Sequence, residues 1–219
     1  MNVFDVIGPV MVGPSSSHTA GAARIGKIVR ELLGEQPVKV FILLHGSFAH
    51  TYRGHGTDKA IIAGLLGMSP DDERIKVSME LAQHAGMQFE ITTGAIKYAH
   101  PNTALITAIG SCGRQVAVQG SSVGGGNIII HKINGMAVEL TAKYETLIIS
   151  HHDTPGVIAA ITGLVARYGI NIASMKVYRS YRGGDAIMVI ETDQEISAEL
   201  EALIGELPRV NNTALIKEI

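Results

Sequence analysis

The sequence has little cysteine and little charge, and both shortages narrow what the chain can do. Cys112 is the single cysteine among 219 residues, so the chain cannot form an intramolecular disulfide and suits a reducing cytoplasm. One thiol also cannot supply the several thiolates of a cysteine-ligated metal cluster. Charged residues make up 17% of the chain, and the formal net charge is −2. No run of Lys and Arg stands out, which argues against binding of nucleic acid or of an anionic membrane.

Long apolar runs are missing as well. No stretch approaches the roughly 18 apolar residues of a membrane span. The first ten residues, MNVFDVIGPV, lack the charged region, the apolar core and the cleavage site of a secretion signal. We therefore expect a cytoplasmic chain with no membrane partner. Hydrophobic residues make up 46% of the sequence, and the length is sufficient for one large or two modest domains with a buried core.

The first 140 residues mix helical and strand-like patterns. Apolar residues recur at three- and four-residue spacing and predict a helix that ends near Gly34: Ala22, Ile25, Val29, Leu32 and Leu33. Further along, we expect a buried strand at 38–46, a loop rich in Gly and His at 45–58, helices at 59–66 and from Ser69 to near Gly86, a strand at 88–92 and strand-like runs over 103–140. Within the last region, Asn134-Gly135 predicts a hairpin turn.

The pattern changes at Thr146, after a predicted seam between domains at 141–145. The remaining chain reads strand, helix, strand, strand, helix, strand, with Ser197 as the cap of the second helix. This order is the ferredoxin-like βαββαβ arrangement. The sequence therefore predicts an α+β protein with a mixed domain at 1–142 and a ferredoxin-like domain at 146–219.

The second domain resembles an ACT domain. The resemblance rests on DTPGVI at 153–158, YGINI at 168–172 and the strand at 186–190. It implies side-by-side self-association and a small amino acid bound at the interface, with Asp153, Gly156 and Asn171 as effector contacts. Gly lacks a Cβ, and the amides of a helix N-terminus attract a carboxylate. The alternatives are that Gly156 only eases a tight turn and that Asn171 only caps or turns the chain.

The stretch GPSSSHT at 13–19 places hydroxyls and an imidazole in front of the first helix. A helix N-terminus exposes unpaired amides and a partial positive charge, so it binds anions without Lys or Arg. Neutral donors suit a substrate carboxylate, and here they are Ser15, Ser16, Ser17, His18 and Thr19. The alternative is an ordinary helix cap, which needs one serine.

Three further motifs carry polar groups. In GHGTD, His55 lies between two glycines just before a helix that Thr57 or Asp58 caps, and the helix dipole there favours the neutral imidazole that acts as a base. In HPNT, Asn102 offers both a donor and an acceptor. In SSVGGG at 121–126, Gly125 lies on bare backbone that can approach a ligand. The alternatives are a surface-loop histidine and a plain glycine turn.

These motifs, in this order, resemble the β portion of the iron–sulfur-dependent L-serine dehydratases. The resemblance runs from Phe4 to about Leu140, and the ACT domain that follows matches the separate β chain of the two-chain form. It implies a serine dehydratase β domain similar to allosteric-substrate-binding domains. It also implies removal of water from L-serine to give aminoacrylate, which hydrolyses to pyruvate and ammonia. A [4Fe-4S] cluster, held mainly by cysteines of a separate α chain, would draw off the hydroxide as a Lewis acid, and this chain would supply no metal ligand.

The resemblance also assigns roles. The residues of GPSSSHT hold the substrate, with Asn102 and Gly125 beside them, His55 is the base and His18 is its catalytic neighbour. We expect His18 and His55 to converge although 37 positions separate them in the sequence. His45 and His50 are rival bases, with His45 expected at a strand end. His151 and His152 are assigned to regulation or solvent, and Cys112 to a buried structural thiol, with an approach to the cluster as the alternative.

Two other functions compete with this one. The first half also resembles the allosteric-substrate-binding domain found beside ACT domains in some phosphoglycerate dehydrogenases, which favours an amino-acid sensor without catalysis. A sensor needs anion contacts but no base, and no Rossmann glycine motif accompanies it here. A metal-dependent hydrolase fits less well, because no H-E-x-x-H pair occurs and few acidic residues lie near His18 or His55 in the sequence.

Overall fold

The computed structural model describes residues 10–217. The chain divides into two compact units, Met1–Gly135 and Met136–Ile219. The predicted limits 1–142 and 146–219, with their seam at 141–145, stay a prediction. The segment examined for a secretion signal lies outside the described residues up to position 9, as do the last two residues of the chain.

One mixed sheet organises the first part of the chain. Its strands are β1 (Lys39–His45), β2 (Gln88–Thr93), β3 (Thr103–Ile109), β4 (Gln115–Gly124), β5 (Asn127–Ile133) and β6 (Met136–Leu140). Their order in the sheet is β2-β1-β3-β4-β5-β6. β1 and β2 are parallel, while the pairs β1–β3, β3–β4 and β4–β5 are antiparallel. The helices are a π-helical turn (Ser16–Ala20), α1 (Gly21–Leu33), α2 (Gly46–His55), α3 (Thr57–Leu65), a 3₁₀ helix (Glu73–Val77) and α4 (Ser78–His84).

Helix α1 confirms the apolar periodicity. All five residues that predicted it are buried, and Gly34 ends it in a left-handed conformation with φ of 81°. α1 and α3 approach closely at two glycines. A Cβ on Gly26 would meet the carbonyl oxygen of Ile61, and a Cβ on Gly64 would meet that of Ala23. The small residues of this region are therefore required by packing between the helices.

The predicted loop at 45–58 is wrong, because Gly46–His55 forms helix α2. Gly46 adopts φ of 59° and turns the chain directly from β1 into the helix. Phe48 then anchors the helix: its side chain is fully buried, and its amide donates to the Pro101 carbonyl at 3.4 Å. Burial of such a ring contributes roughly 1.5–3 kcal/mol, which outweighs the loop preference of the local glycines.

Smaller corrections concern ends and faces. β1 buries only one face, since its residues alternate between buried and more exposed. The helix predicted from Ser69 begins at Glu73 as the 3₁₀ helix, where Asp72 accepts from the Arg74 amide at 2.9 Å. Gly56, with φ of 69°, takes the N-cap position of α3, so neither Thr57 nor Asp58 caps that helix. The Asn134-Gly135 hairpin is confirmed, with φ of 50° and 80° at its two residues.

The second unit has the predicted ferredoxin-like arrangement. After β6, its elements are β7 (Thr146–His152), α5 (Val157–Arg167), β8 (Ile172–Arg179), β9 (Asp185–Thr192), α6 (Ala198–Gly205) and β10 (Val210–Ile216). The antiparallel sheet has the order β10-β7-β9-β8, and an apolar core lies between its inner face and the two helices. The Ser197 cap is confirmed, because its hydroxyl accepts from the Leu200 amide at 3.2 Å.

Candidate active site

His18 and His55 meet edge to face. Their ring centroids lie 4.8 Å apart with an angle of 80° between the ring planes. The π-helical turn before α1 carries His18, and the last residue of α2 is His55. The predicted convergence of the two histidines is therefore confirmed, although nothing in the local sequence pattern fixes it.

His18 is held from both sides by serine hydroxyls. Its Nδ1 lies 3.3 Å from Ser15 Oγ and its Nε2 lies 3.1 Å from Ser47 Oγ. Burial first, and then the neighbouring His55, lower the pKa of His18 below its ordinary value of 6.5. The ring is thus neutral near pH 7, and it accepts a proton from one serine while it donates to the other.

Ser15 has a second task, since its hydroxyl accepts from the His18 amide at 3.3 Å and caps the turn. The cap reading of GPSSSHT is therefore correct for Ser15. Ser16 and Ser17 are half-buried, and Thr19 is buried and donates to the His55 carbonyl at 3.3 Å. That bond joins the π-helical turn to the end of α2 and fixes the two histidines relative to each other.

His55 occupies the corner between α2 and α3, where the left-handed Gly56 ends one helix and begins the next. Its Nδ1 is buried and has no hydrogen-bond partner in the protein, and the hydroxyl of Thr57 shares this property. An unpaired buried polar atom costs about 1–3 kcal/mol. Such atoms in a concave site are candidates for ligand contact.

A cavity of about 250 Å³ opens beside His55. Thr19 and the segment 12–14 form one wall, and residues of α2, α3 and the 3₁₀ helix form the others. Three side chains in its lining are cationic: Arg53, Lys59 and Lys76. His18 is not in the lining, although its neighbour Thr19 is.

HPNT and SSVGGG lie at the same edge of the sheet as the start of α2. The register pairs His45 with Thr103 and Thr103 with Ser121. The Asn102 carbonyl accepts from the Ser122 amide at 3.0 Å, and the Pro101 carbonyl accepts from the first turn of α2, as described above. A Cβ on Gly21, at the start of α1, would meet Ser122 Oγ. The fold thus gathers all four motifs at one end of the sheet.

A chain of hydroxyl hydrogen bonds runs through this edge and ends at a histidine absent from the sequence analysis. Thr103 Oγ1 donates to the His100 carbonyl at 2.6 Å and lies 2.7 Å from Ser121 Oγ, which is 2.9 Å from His131 Nε2. Because Thr103 uses its proton on the carbonyl, Ser121 donates to Thr103 and accepts from His131. Burial, and then His100, lower the pKa of His131.

The three-glycine loop has a backbone explanation. Gly124, Gly125 and Gly126 all have positive φ, of 105°, 59° and 80°, in the tight turn between β4 and β5. The Gly126 carbonyl accepts from Arg24 Nη1 at 2.7 Å, which ties the loop to α1. The turn alternative therefore accounts for these glycines, and the substrate contacts of Asn102 and Gly125 stay predictions.

The rival residues lie apart from the pair. His45 is the last residue of β1 and accepts from the Ile96 amide at 3.1 Å, so the expected strand-end position is confirmed. His50 is exposed on α2. The buried-thiol prediction for Cys112 is wrong: the thiol is exposed and donates to Glu35 Oε1 at 3.6 Å. It lies in the β3–β4 turn, at the end of the sheet opposite the Thr103–Ser121 pair.

The predicted effector residues of the second unit fall into two places. Gly156 has φ of 92°, and open space surrounds its missing Cβ. Asp153, nearby in the chain, accepts from the Gly183 amide at 3.2 Å and from Arg179 Nη1 at 3.0 Å, and these two bonds, in that order, lower its pKa. Asn171 precedes β8, whereas Arg179 ends it, so roughly 25 Å of strand separates Asn171 from Asp153. One chain alone does not assemble these three residues into a site.

Of the two histidines assigned to solvent or regulation, His151 is buried and only His152 reaches solvent. His151 is 1% exposed and its Nε2 has no partner, while its Nδ1 lies 2.9 Å from the His152 carbonyl. His152 is exposed, with its Nδ1 3.3 Å from Asp185 Oδ1. The alternation of faces along β7 explains the difference, since neighbouring residues point to opposite sides of the sheet.

Sequence reasoning missed Ser47 and His131. Ser47 was hidden because 45–58 reads as a loop, and only a helix beginning at Gly46 places its hydroxyl beside His18. His131 lies in a strand-like run, so its neighbours in the sheet had to be known first. Within residues 10–217, no group of three or more His, Cys, Asp or Glu side chains can hold a metal ion. No helix in that range is long and apolar enough to cross a membrane.

Comparisons with known proteins agree with this architecture. The family model described as serine dehydratase beta chain matches residues 2–96, and that of the ACT domain matches residues 146–209. A probable L-serine dehydratase, beta chain, of Bacillus subtilis is 43% identical over 95% of this chain and 94% of its own length. The L-serine dehydratase, beta chain, of Peptoniphilus asaccharolyticus is 39% identical over 99% and 98%. A D-3-phosphoglycerate dehydrogenase of Synechocystis is 26% identical over 86% of this chain but only 34% of its own length.

Proposed function

The chain belongs to the L-serine dehydratase beta-chain family, and from that premise we propose that it forms, with a separate α chain, an enzyme that deaminates L-serine to pyruvate and ammonia. The observation that carries the proposal is the contact between His18 and His55 beside a hydroxyl-rich turn. The two imidazoles meet there with the hydroxyls of Ser15, Ser47 and Thr19, and one imidazole nitrogen, His55 Nδ1, is buried and unpaired.

His55 is the base in this proposal. The α-proton of an amino acid is weakly acidic, so a base must remove it while the carboxylate is held. His55 suits the task because its buried Nδ1 has no hydrogen-bond partner in the protein. No carboxylate among the described residues holds the ring either. His18 is neutral, and Ser15 and Ser47 engage both of its ring nitrogens, so His18 serves to position the ring of His55 and adds no charge.

The substrate carboxylate is proposed to lie at the π-helical turn. A helix start leaves amides unpaired, and Ser16 and Ser17 add half-buried hydroxyls next to them. Ser15 and Thr19 already bond within the protein, to His18 and to the His55 carbonyl. We therefore assign Ser16 and Ser17 to direct contact with the substrate, and Ser15 and Thr19 to holding the two histidines.

The donor set of this chain does not fit a [4Fe-4S] cluster. A cluster of this type needs several thiolates, and the one cysteine is exposed, at the end of the sheet away from the histidine pair. The cluster that the family implies is therefore assigned to cysteines of the α chain, and no step of the proposal passes through this chain's own thiol. The α chain is accordingly a required partner.

The second unit is proposed to pair with its copy through β8. This strand lies at the edge of its sheet and leaves Met175 40% and Val177 37% exposed. Antiparallel pairing of two β8 edges would bring Asn171 of one chain to the Asp153 and Gly156 end of the other. The separation of these residues within one chain thus supports an effector site shared by two chains, with a small amino acid as the ligand.

A second candidate is a sensor without catalysis. The resemblance to D-3-phosphoglycerate dehydrogenases over both halves of this chain favours it. In that case the hydroxyl-rich turn would bind an effector and the position of His55 would carry no chemistry. The higher identity and nearly full coverage of the dehydratase beta chains favour the enzyme.

The deciding experiment is anaerobic purification of the tagged chain from its own cells. We expect a cysteine-rich chain to co-purify, together with iron–sulfur absorbance and formation of pyruvate from L-serine. A single chain that binds serine and shows neither iron nor turnover, even after mixing with the α chain, would support the sensor and overturn the proposed enzyme.

A further inference from the structure

The cavity beside His55 is lined by positively charged side chains that have no role in the proposed reaction. Its charged lining groups are Arg53, Lys59 and Lys76, and no carboxylate lines it among the described residues. The chain as a whole is nearly neutral, so three cations around one cavity of about 250 Å³ are a local feature. A water molecule takes about 30 Å³ of liquid, so this volume admits a small polyatomic ion with some of its water.

The nearby carboxylates leave part of this positive charge uncompensated. Glu73 pairs with Lys76 at 2.6 Å. Asp58 is only 8% exposed, burial raises its pKa, and its single carboxylate faces both Arg53 and Lys59, so it offsets at most one of these two cations. Arg53 lies over the ring of Tyr52 and donates to its hydroxyl at 3.1 Å. Lys59 lies in the first turn of α3, where the helix start adds its own partial positive charge.

We propose that this cavity binds a small oxyanion with two negative charges, held by Lys59 and Arg53, and that the bound anion restrains His55 from acting as a base. The binding half of the proposal stands on the cavity alone, and the restraint rests on the proposed function. His55 itself lines the cavity, so an anion held there lies beside the ring and obstructs its approach to the substrate. The site therefore acts as an inhibitory anion site.

The charged and titratable groups around His55 come from four elements. They are His18 on the π-helical turn, Arg53 on its own helix, Asp58 and Lys59 on α3, and Lys76 on the 3₁₀ helix. Only Lys59 combines exposure, a place in the lining and a position at a helix start. Lys59→Met is therefore the informative variant, and Lys39→Met, an exposed lysine at the opposite end of β1, is its matched control.

The test follows the histidine ring signals of the full chain by NMR while inorganic phosphate replaces sodium chloride at constant ionic strength. We expect a saturable change at His55, roughly thirty-fold weaker phosphate binding in Lys59→Met, as for one cation near 4 Å from two negative charges in water, and no change in Lys39→Met. Malonate in a second arm distinguishes a phosphate ligand from a dicarboxylate. Equal responses in all three proteins, or no saturation, would overturn the site.

A second measurement tests the restraint in the complex with the α chain. Phosphate should inhibit serine deamination by the wild-type complex, and Lys59→Met should lose most of this inhibition. Inhibition that is independent of Lys59 would overturn the restraint. The two failures are distinguishable: a complex that never deaminates serine defeats the proposed function, while the NMR titration still decides whether the anion binds.

Discussion

The two units of the chain use their polar residues differently. In the first unit the predicted site residues converge, and several buried atoms among them have no partner, namely His55 Nδ1, Thr57 Oγ1 and Ser122 Oγ. In the second unit Asp153 and Asn171 bond to their neighbours: Asn171 donates to Asp193 and Gln194 at 2.6 Å each. The exception there is His151, whose buried Nε2 is unpaired. Unpaired buried polar atoms lower stability, and a ligand site explains why the first unit keeps several of them. In the second unit most of these polar groups instead form hydrogen bonds that stabilise its own fold.

The largest expected effect is on turnover, and it concerns the first unit alone. His55→Gln removes the proposed base, and the rate of serine deamination by the complex should fall about 10²–10⁴-fold. The side chain is only half-buried, so the fold and the association with the α chain should persist. The matched control is His50→Gln, an exposed histidine on the same helix, which should retain normal turnover. If both variants are equally active, His55 is not the base, and the unpaired buried atoms of the first unit do not mark a catalytic site.

The next effect is on stability and compares one glycine from each unit. Gly64→Ala places a methyl group against the Ala23 carbonyl in the α1–α3 contact, whereas the missing Cβ of Gly163 on α5 has nothing within 4 Å. The first change should lower the free energy of unfolding by about 1–3 kcal/mol, and Gly163→Ala should raise it by about 0.5–1 kcal/mol. Chemical denaturation measures both. A loss from Gly163→Ala that matches the loss from Gly64→Ala would show that the two helical layers are packed alike.

The same contrast decides how much the sequence predicted. The second unit was predicted element by element because its strands and helices follow local periodicity, with caps such as Ser197. Helix α2 was missed because its stability comes from the distant Pro101 carbonyl and from the burial of Phe48, against a local composition of glycines and polar residues. The meeting of His18 and His55 was predicted only through a family resemblance. Ser47 and His131 join their networks across 29 and 10 positions, and local pattern carries no signal for such contacts.

A smaller effect concerns pH. The pKa of His18 is lower in the folded chain than its ordinary 6.5, so the unfolded chain binds the proton first as the pH falls. The stabilising contribution of His18 is therefore complete above about pH 6.5 and is lost as the pH falls below it. His18→Gln should make the difference in melting temperature between pH 7.5 and pH 5.5 smaller than in the wild type.

Asp153 of the second unit should not contribute to this loss. The pKa of Asp153 is lowered from 3.8, so its stabilising contribution is lost only below about that pH. His50→Gln is again the matched control, and its melting temperature should depend on pH as in the wild type. The prediction is wrong if the difference in melting temperature between pH 7.5 and pH 5.5 is the same in His18→Gln as in the wild type. In that case the histidine pair does not give the first unit its sensitivity to acid.

The last substitution, Cys112→Ser, is expected to have no effect on iron content or turnover. It tests whether the cluster ligands belong to the α chain. Cys112 is exposed, and its thiol donates to Glu35 at the end of the sheet away from the histidine pair. In Cys112→Ser a serine hydroxyl replaces the thiol as a donor to that carboxylate. Ser111 still donates to the other carboxylate oxygen at 2.6 Å. The complex should then retain its iron content, its iron–sulfur absorbance and its rate with L-serine. Loss of iron in Cys112→Ser would place a cluster ligand on this chain and would contradict the assignment of the cluster to cysteines of the α chain.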